Sequence, residues 1–185
     1  PDHVDIIKKA EAQPSLLQLL NKWLERMPFL KEGADKAFWE NYKKVYTEGL
    51  ADAEKGNSQV FDSIFENPDE MPGRHLSPAA CRAALFILLY RGYPLLQLPF
   101  QLLNVLLEID EQLSSWRYRH LNMVHRMIGT RIGTGGSTGK DYLKAAADKH
   151  YIFKEIAQLN SFLAERRKLP QLSTALEKML GFVAA

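Results

Sequence analysis

The feature that most limits the architecture is the stretch from Pro99 to about Ile128, where apolar residues recur at helical spacing and no glycine intervenes. Leu102, Leu106, Ile109, Leu113, Trp116, Met123 or Val124, and Met127 fall on one stripe of a helix with about 3.6 residues per turn. His120 lies on the same stripe. A helix this long needs other helices to cover its apolar face, and no part of the chain shows the strict alternation of a half-buried strand. The expected fold is all-α.

The remaining periodicity supplies those helices. Ser15 to Met27 repeats Leu16, Leu19, Leu20, Trp23 and Leu24 and stops at Pro28, which lacks an amide donor and restricts the residue before it. Asp35 reads as the N-cap of a second helix bearing Phe38, Trp39, Tyr42, Val45, Tyr46 and Leu50, expected to end near Gly56-Asn57. A polar segment from Asn67 to Pro72 follows. Ser77-Pro78 combines an N-cap with a first-turn proline and launches a helix through Tyr90 that is apolar nearly all round, so it should be central. Beyond the long helix, helical patterns are expected over Tyr142 to His150, Ile152 to Arg167 and Leu172 to Phe182.

With 185 residues, 46% of them hydrophobic, the chain can bury one sizeable core, and the uniform composition predicts a single domain over residues 1–185. A net charge of +2, with 24 basic and 22 acidic residues intermixed, provides no field that would select nucleic acid or an anionic membrane. The apolar run Ala83 to Tyr90 is far shorter than the roughly 20 residues of a bilayer span. Cys81 is the only cysteine, so no intramolecular disulfide forms, and no Cys/His group has zinc-ligand spacing; a reducing compartment, the cytoplasm, is expected.

His120 is where chemistry enters. Trp116 and Val124 stand four residues away on either side and Met123 three, so all should surround the imidazole on one helix face. A lone histidine on an apolar stripe is most often a core side chain bonded to a carbonyl or water; the other reading is an axial ligand to haem iron. Spacing leaves both open. His125, rotated about 140° from His120, cannot share one metal with it. The loop Gly133-Thr-Gly-Gly-Ser-Thr-Gly139-Lys140-Asp141 is not a phosphate-binding P-loop. Position 134 is Thr rather than Gly, Asp141 stands where Ser or Thr is required, and a helix rather than a strand precedes it. Its glycines still let backbone amides approach a ligand closely, and Thr134 or Ser137 can offer a hydroxyl to a polar group such as an amino-acid head. Arg117, Arg119, Arg126 and Arg131 surround this region as solvated cations or as partners for carboxylates. Asp110 and Glu111 point to different faces and form no acid–base dyad.

The run Trp116-Arg-Tyr-Arg-His-Leu-Asn-Met-Val-His-Arg-Met-Ile-Gly129, followed by Gly133-Thr-Gly-Gly-Ser-Thr-Gly139 and Tyr142-Leu143, resembles the tryptophan 2,3-dioxygenase family. The likeness extends through Pro99-Phe-Gln-Leu-Leu, Leu76-Ser77 and Tyr90-Arg91 to Trp23-Leu-Glu-Arg-Met-Pro28 and Phe38-Trp39, and so covers most of the chain. The resemblance implies a helical bundle of the haem dioxygenase type, haem b with iron bound by His120, and a porphyrin contacting Trp116 and Val124. It places Thr134, with Gly133 beside it, on the ammonium and carboxylate of L-tryptophan. It also implies cleavage of the indole ring by O2 to N-formylkynurenine, in a cytoplasmic homotetramer.

The family's distal histidine, its carboxylate-binding arginine and its indole-lining aromatics belong to an N-terminal part with no counterpart in residues 1–185. The chain is therefore expected to be the C-terminal part of such an enzyme, contributing no catalytic residue of its own and needing the N-terminal part as partner. Two other readings stand beside this one: a histidine-ligated haem oxygenase acting on another aromatic amino acid, and a non-enzymatic helical binding module in which His120 is a core residue.

Overall fold

A computed structural model of the chain describes residues 3–32, 34–66, 73–128 and 151–181. Among the described residues every regular element is helical, as the periodicity requires. In chain order these are α1 (His3–Glu11), α2 (Leu16–Glu25), α3 (Phe29–Glu32), α4 (Lys36–Glu48), α5 (Gly56–Phe65), α6 (Pro78–Leu89), α7 (Pro94–Ile128), α8 (Lys154–Gln158) and α9 (Thr174–Met179). The chain groups into two compact units, residues 1–101 with 155–185, and residues 102–154.

Local signals set most helix starts. Ser15 caps α2 in a capping box, its hydroxyl accepting from the Gln18 amide while the Gln18 side chain accepts from the Ser15 amide. Asp35 accepts from the Phe38 amide at 3.0 Å, and Ser77 accepts from the Ala80 amide with Pro78 in the first turn of α6.

Several boundaries differ from expectation, that of the long helix among them: α7 starts at Pro94 and carries Pro99 inside it, where the apolar pattern placed its start. The helix begun at Asp35 ends at Gly49, and Gly56 opens α5 instead of closing α4. The polar residues that open α5 conceal a short amphipathic face whose Phe61, Ile64 and Phe65 are buried. The helix expected over Ile152 to Arg167 is broken into α8, a 3-10 turn at Leu159–Phe162 and another at Arg166–Lys168. Pro170 cannot extend a helix, and burial of Leu159 and Phe162 holds the tighter turn. The pattern expected over Tyr142 to His150 lies outside the described residues.

In the first unit α6 is the centre, packed against α2, α5 and the Leu159–Phe162 turn. Residues from Ala83 to Ile87 are fully buried, which explains an apolar composition on every side. Phe29 stacks on Phe86 at 4.5 Å and Phe86 on Tyr90 at 4.7 Å, while Tyr42, Phe61, Phe65 and Phe162 continue the aromatic layer. Buried tyrosines tie the irregular segment to this core. Tyr42 donates to the Phe162 carbonyl, Tyr46 to that of Ser161 at 3.1 Å, and Tyr90 to that of Pro170 at 2.6 Å. Burial pushes the Tyr42 and Tyr90 hydroxyls well above the ordinary tyrosine range, so both remain donors.

Candidate functional site

Within the second unit α7 has two apolar faces. Leu103, Leu106, Asp110 and Leu121 are buried along one. Leu102, Val105, Ile109, Trp116, Met123 and Met127 repeat along the other and are exposed, Trp116 to 63% and Met127 to 77%. A folded chain rarely leaves so continuous an apolar row in water without an occupant for it.

His120 belongs to the exposed row. Its ring lies 5.6 Å from that of Trp116 and only 14° from parallel. One turn of helix separates the two residues, which is what brings the rings face to face. The reading of His120 as a core histidine is therefore overturned: the ring is at the surface, and among the described residues no hydrogen bond holds it. Val124 sits at the edge of the buried face, half-buried. Beside the row, Arg119, Asn122, Met123, Arg126 and Met127 line a shallow depression of about 400 Å³. Arg119 and Arg126, seven residues apart, present two cations on one side of it. Gly133 and Thr134 lie outside the described residues, as does the rest of the glycine-rich loop, and so does the side chain of His125.

The first unit contains a different polar cluster. Glu155, 4% exposed, accepts from the His75 amide at 2.9 Å and the Leu76 amide at 3.0 Å, and its carboxylate lies 3.5 Å from the Arg74 guanidinium and 3.2 Å from the His75 ring. Arg74 also donates to Gln158 at 3.0 Å and reaches the Cys81 sulfur at 3.6 Å. Cysteine, histidine and carboxylate together invite a nucleophilic reading, but burial pushes the Cys81 thiol up against the weaker pull of Arg74, so the thiolate is disfavoured. For Glu155, burial alone would raise the carboxyl; the His75 and Leu76 amides, Arg74 and the His75 ring outweigh it and hold the group below its ordinary range. The cluster fastens the turn before α6 to α8.

Two residues here escaped the sequence. Among the described residues Asp110 and Glu155 are the buried acids, and each spends its oxygens on backbone amides, Asp110 on those of Ile152 and Phe153. The only advance sign of Asp110 was an acid on the side of an apolar helix; nothing local distinguished Glu155.

Comparison with known proteins identifies the family of the chain. The family model described as tryptophan 2,3-dioxygenase matches residues 54–163, a stretch that contains His120. The chain is 38% identical to the tryptophan 2,3-dioxygenase of Alteromonas mediterranea, across 96% of this chain and 56% of that protein. It is 38% identical to the enzyme of the same name from Bdellovibrio bacteriovorus, across 92% of this chain and 54% of the relative. With that of Mus musculus it shares 34%, across 97% of this chain and 50% of the relative. The chain spans about half the length of the curated relatives it matches. With the family model covering more than half of its residues, the chain belongs to the tryptophan 2,3-dioxygenase family.

Proposed function

We propose that this chain is the haem-binding part of a dioxygenase that opens the indole ring of L-tryptophan with O2 to give N-formylkynurenine, acting with further sequence of the kind its relatives carry. The observation that carries the reading is the exposed imidazole of His120, stacked on Trp116 inside an apolar row, in a chain of this family.

The donor set fits haem better than a bare metal ion. Among the described residues no three His, Cys, Asp or Glu side chains gather to enclose a cation. One imidazole nitrogen suffices for haem iron, because the porphyrin supplies the remaining donors. His120 would ligate the iron, Trp116 would fix the ring plane of the imidazole, and Trp116 and Val124 would contact the porphyrin. Arg119 and Arg126 offer charge to its propionates. When bound, haem b supplies the iron chemistry by which O2 adds across the indole C2–C3 bond. The chain's own residues bind and orient: the apolar row excludes water, and the Thr134 hydroxyl and the Gly133 backbone hold the amino-acid head. No residue of this chain is assigned an acid or base role. A cytoplasmic homotetramer accompanies this reading, supported by the lone buried cysteine and by an apolar row open to a partner.

The test is N-formylkynurenine formation by the full-length protein with haemin, a reductant, O2 and L-tryptophan, alongside haemin titration of His120→Ala. The wild type should turn over, and the variant should lose its histidine-type ferrous spectrum. An unchanged ferrous spectrum in the variant overturns the assignment of His120. A Soret band without product from L-tryptophan, but with oxidation of L-tyrosine, would transfer the site to a different aromatic amino acid.

A further inference from the structure

The first unit holds a cavity of about 870 Å³ where α3, α4, α5 and α6 meet. Leu30, Trp39, Phe61, Phe65 and Ala79 give it an apolar wall, and Arg82 enters that wall from the second turn of α6. The aromatic side is built in advance. Trp39 and Phe65 lie 13° from parallel with their rings 6.3 Å apart, and the Trp39 indole nitrogen donates to the Ala34 carbonyl at 3.1 Å. Small-molecule sites combine such apolar walls with a few fixed polar groups in cavities of roughly 300–1,000 Å³.

The charges around the cavity are not equivalent. Glu40 pairs with Lys36 at 3.6 Å, Glu66 with Lys43 at 3.1 Å, and Asp35 accepts from the Phe38 amide as the cap of α4. Arg82 has no counter-ion of its own among the described residues. One guanidinium nitrogen donates to the Phe65 carbonyl at 2.5 Å, and Glu66, whose charge reaches the guanidinium, is already engaged by Lys43. Arg82 is half-buried, and that burial pushes it below its ordinary range. A guanidinium carries five N–H donors in a planar fork, so one carbonyl leaves most of them to serve. A cation partly stripped of water in an apolar wall is best satisfied by an anion whose remaining body is apolar. A second negative charge on that body would face the Glu40 and Glu66 carboxylates, which restricts the class to monoanions.

We infer that this cavity is a binding site for a small aromatic monocarboxylate, whose carboxylate pairs with the Arg82 guanidinium and whose ring lies on the Trp39 and Phe65 side. The inference goes beyond the proposed function and does not rest on it: His120, Gly133 and Thr134 take no part. A failure of the haem assignment leaves the expected affinities unchanged.

The experiment titrates the full-length protein with 3-phenylpropionate and with its neutral analogue 3-phenylpropanamide, read by isothermal calorimetry, in the wild type, Arg82→Gln and Ala79→Phe. Gln keeps a donor for the Phe65 carbonyl but carries no charge. Phe at position 79 fills the cavity and leaves Arg82 in place. The wild type should bind the acid with a Kd of about 1 mM or lower, and the amide about tenfold or more weakly. In Arg82→Gln the acid should weaken by roughly 10- to 100-fold, to the level of the amide. Ala79→Phe should weaken both ligands about tenfold or more, with the circular dichroism spectrum of the wild type. Equal affinity of the wild type for acid and amide overturns the inference, as does no binding of the acid at about 10 mM. Acid affinity retained in a folded Ala79→Phe variant places the ligand elsewhere and overturns it too. Should Arg82→Gln fail to fold, the acid-to-amide ratio of the wild type and the Ala79→Phe variant decide the matter between them.

Discussion

Replacing Glu155 by Gln tests whether the buried acid fastens the turn before α6. The carboxylate serves two amides, at 2.9 and 3.0 Å, and one guanidinium at 3.5 Å. Gln keeps one oxygen, enough for one amide, and turns an NH2 group toward the other. One bond to a charged acceptor is lost, about 1.5–3 kcal/mol, and part of the attraction to Arg74 goes with it. Arg74 keeps Gln158 as a partner, which limits the second loss. The expected destabilisation is about 2–4 kcal/mol, a large fraction of the roughly 5–15 kcal/mol that holds an ordinary domain. Urea unfolding followed by circular dichroism at pH 7 should show the midpoint fall with the slope unchanged. The effect must also depend on pH. The Glu155 carboxyl titrates below its ordinary value of 4.5 in the folded protein. A depressed folded pKa gives stability that is present above the unfolded value and lost as pH falls through the folded one. The gap between wild type and Glu155→Gln should therefore be full at pH 7 and narrow progressively below about pH 4.5. A difference under about 0.5 kcal/mol at pH 7, or one equally large in acid, would refute the reasoning.

Two further outcomes follow from single hydrogen bonds. Tyr90→Phe removes a buried donor from the Pro170 carbonyl and should cost about 1–3 kcal/mol in the urea midpoint; no change would mean that water satisfies that carbonyl. Ser77→Ala removes the N-cap of α6 and a 2.6 Å bond to Glu25, and should lower stability by about 1–2 kcal/mol in the same assay, with Ser77→Asn recovering much of it because Asn also caps.

The starts of α2, α4 and α6 were legible because a cap is a local event: Ser15, Asp35 and Ser77 each bond an amide three residues ahead. Helix ends were less so. Gly56-Asn57 read as the stop signal, yet α4 ends at Gly49, and the burial of Phe61, Ile64 and Phe65 gave Gly56 a helix to open instead. The segment after Lys154 carried a helical pattern, yet tertiary contacts with buried tyrosines pulled it into 3-10 turns. At the candidate site the sequence singled out His120 and its ring neighbour Trp116, but it treated Asp110 as half of a failed dyad.

The sequence by itself determined that the chain is helical, where α2, α4 and α6 begin, and which motif it shares with its family. Those properties reside in residues within a few turns of one another. Only the tertiary structure decided which face of α7 is covered, that His120 stands at the surface and not in the core, and that Asp110 and Glu155 are buried anchors. The partners of these two acids lie 42 to 43 and 79 to 80 residues away along the chain. An apolar period defines a helix and its stripes but not the stripe that meets the rest of the chain, because burial is summed over distant contacts that no local window contains.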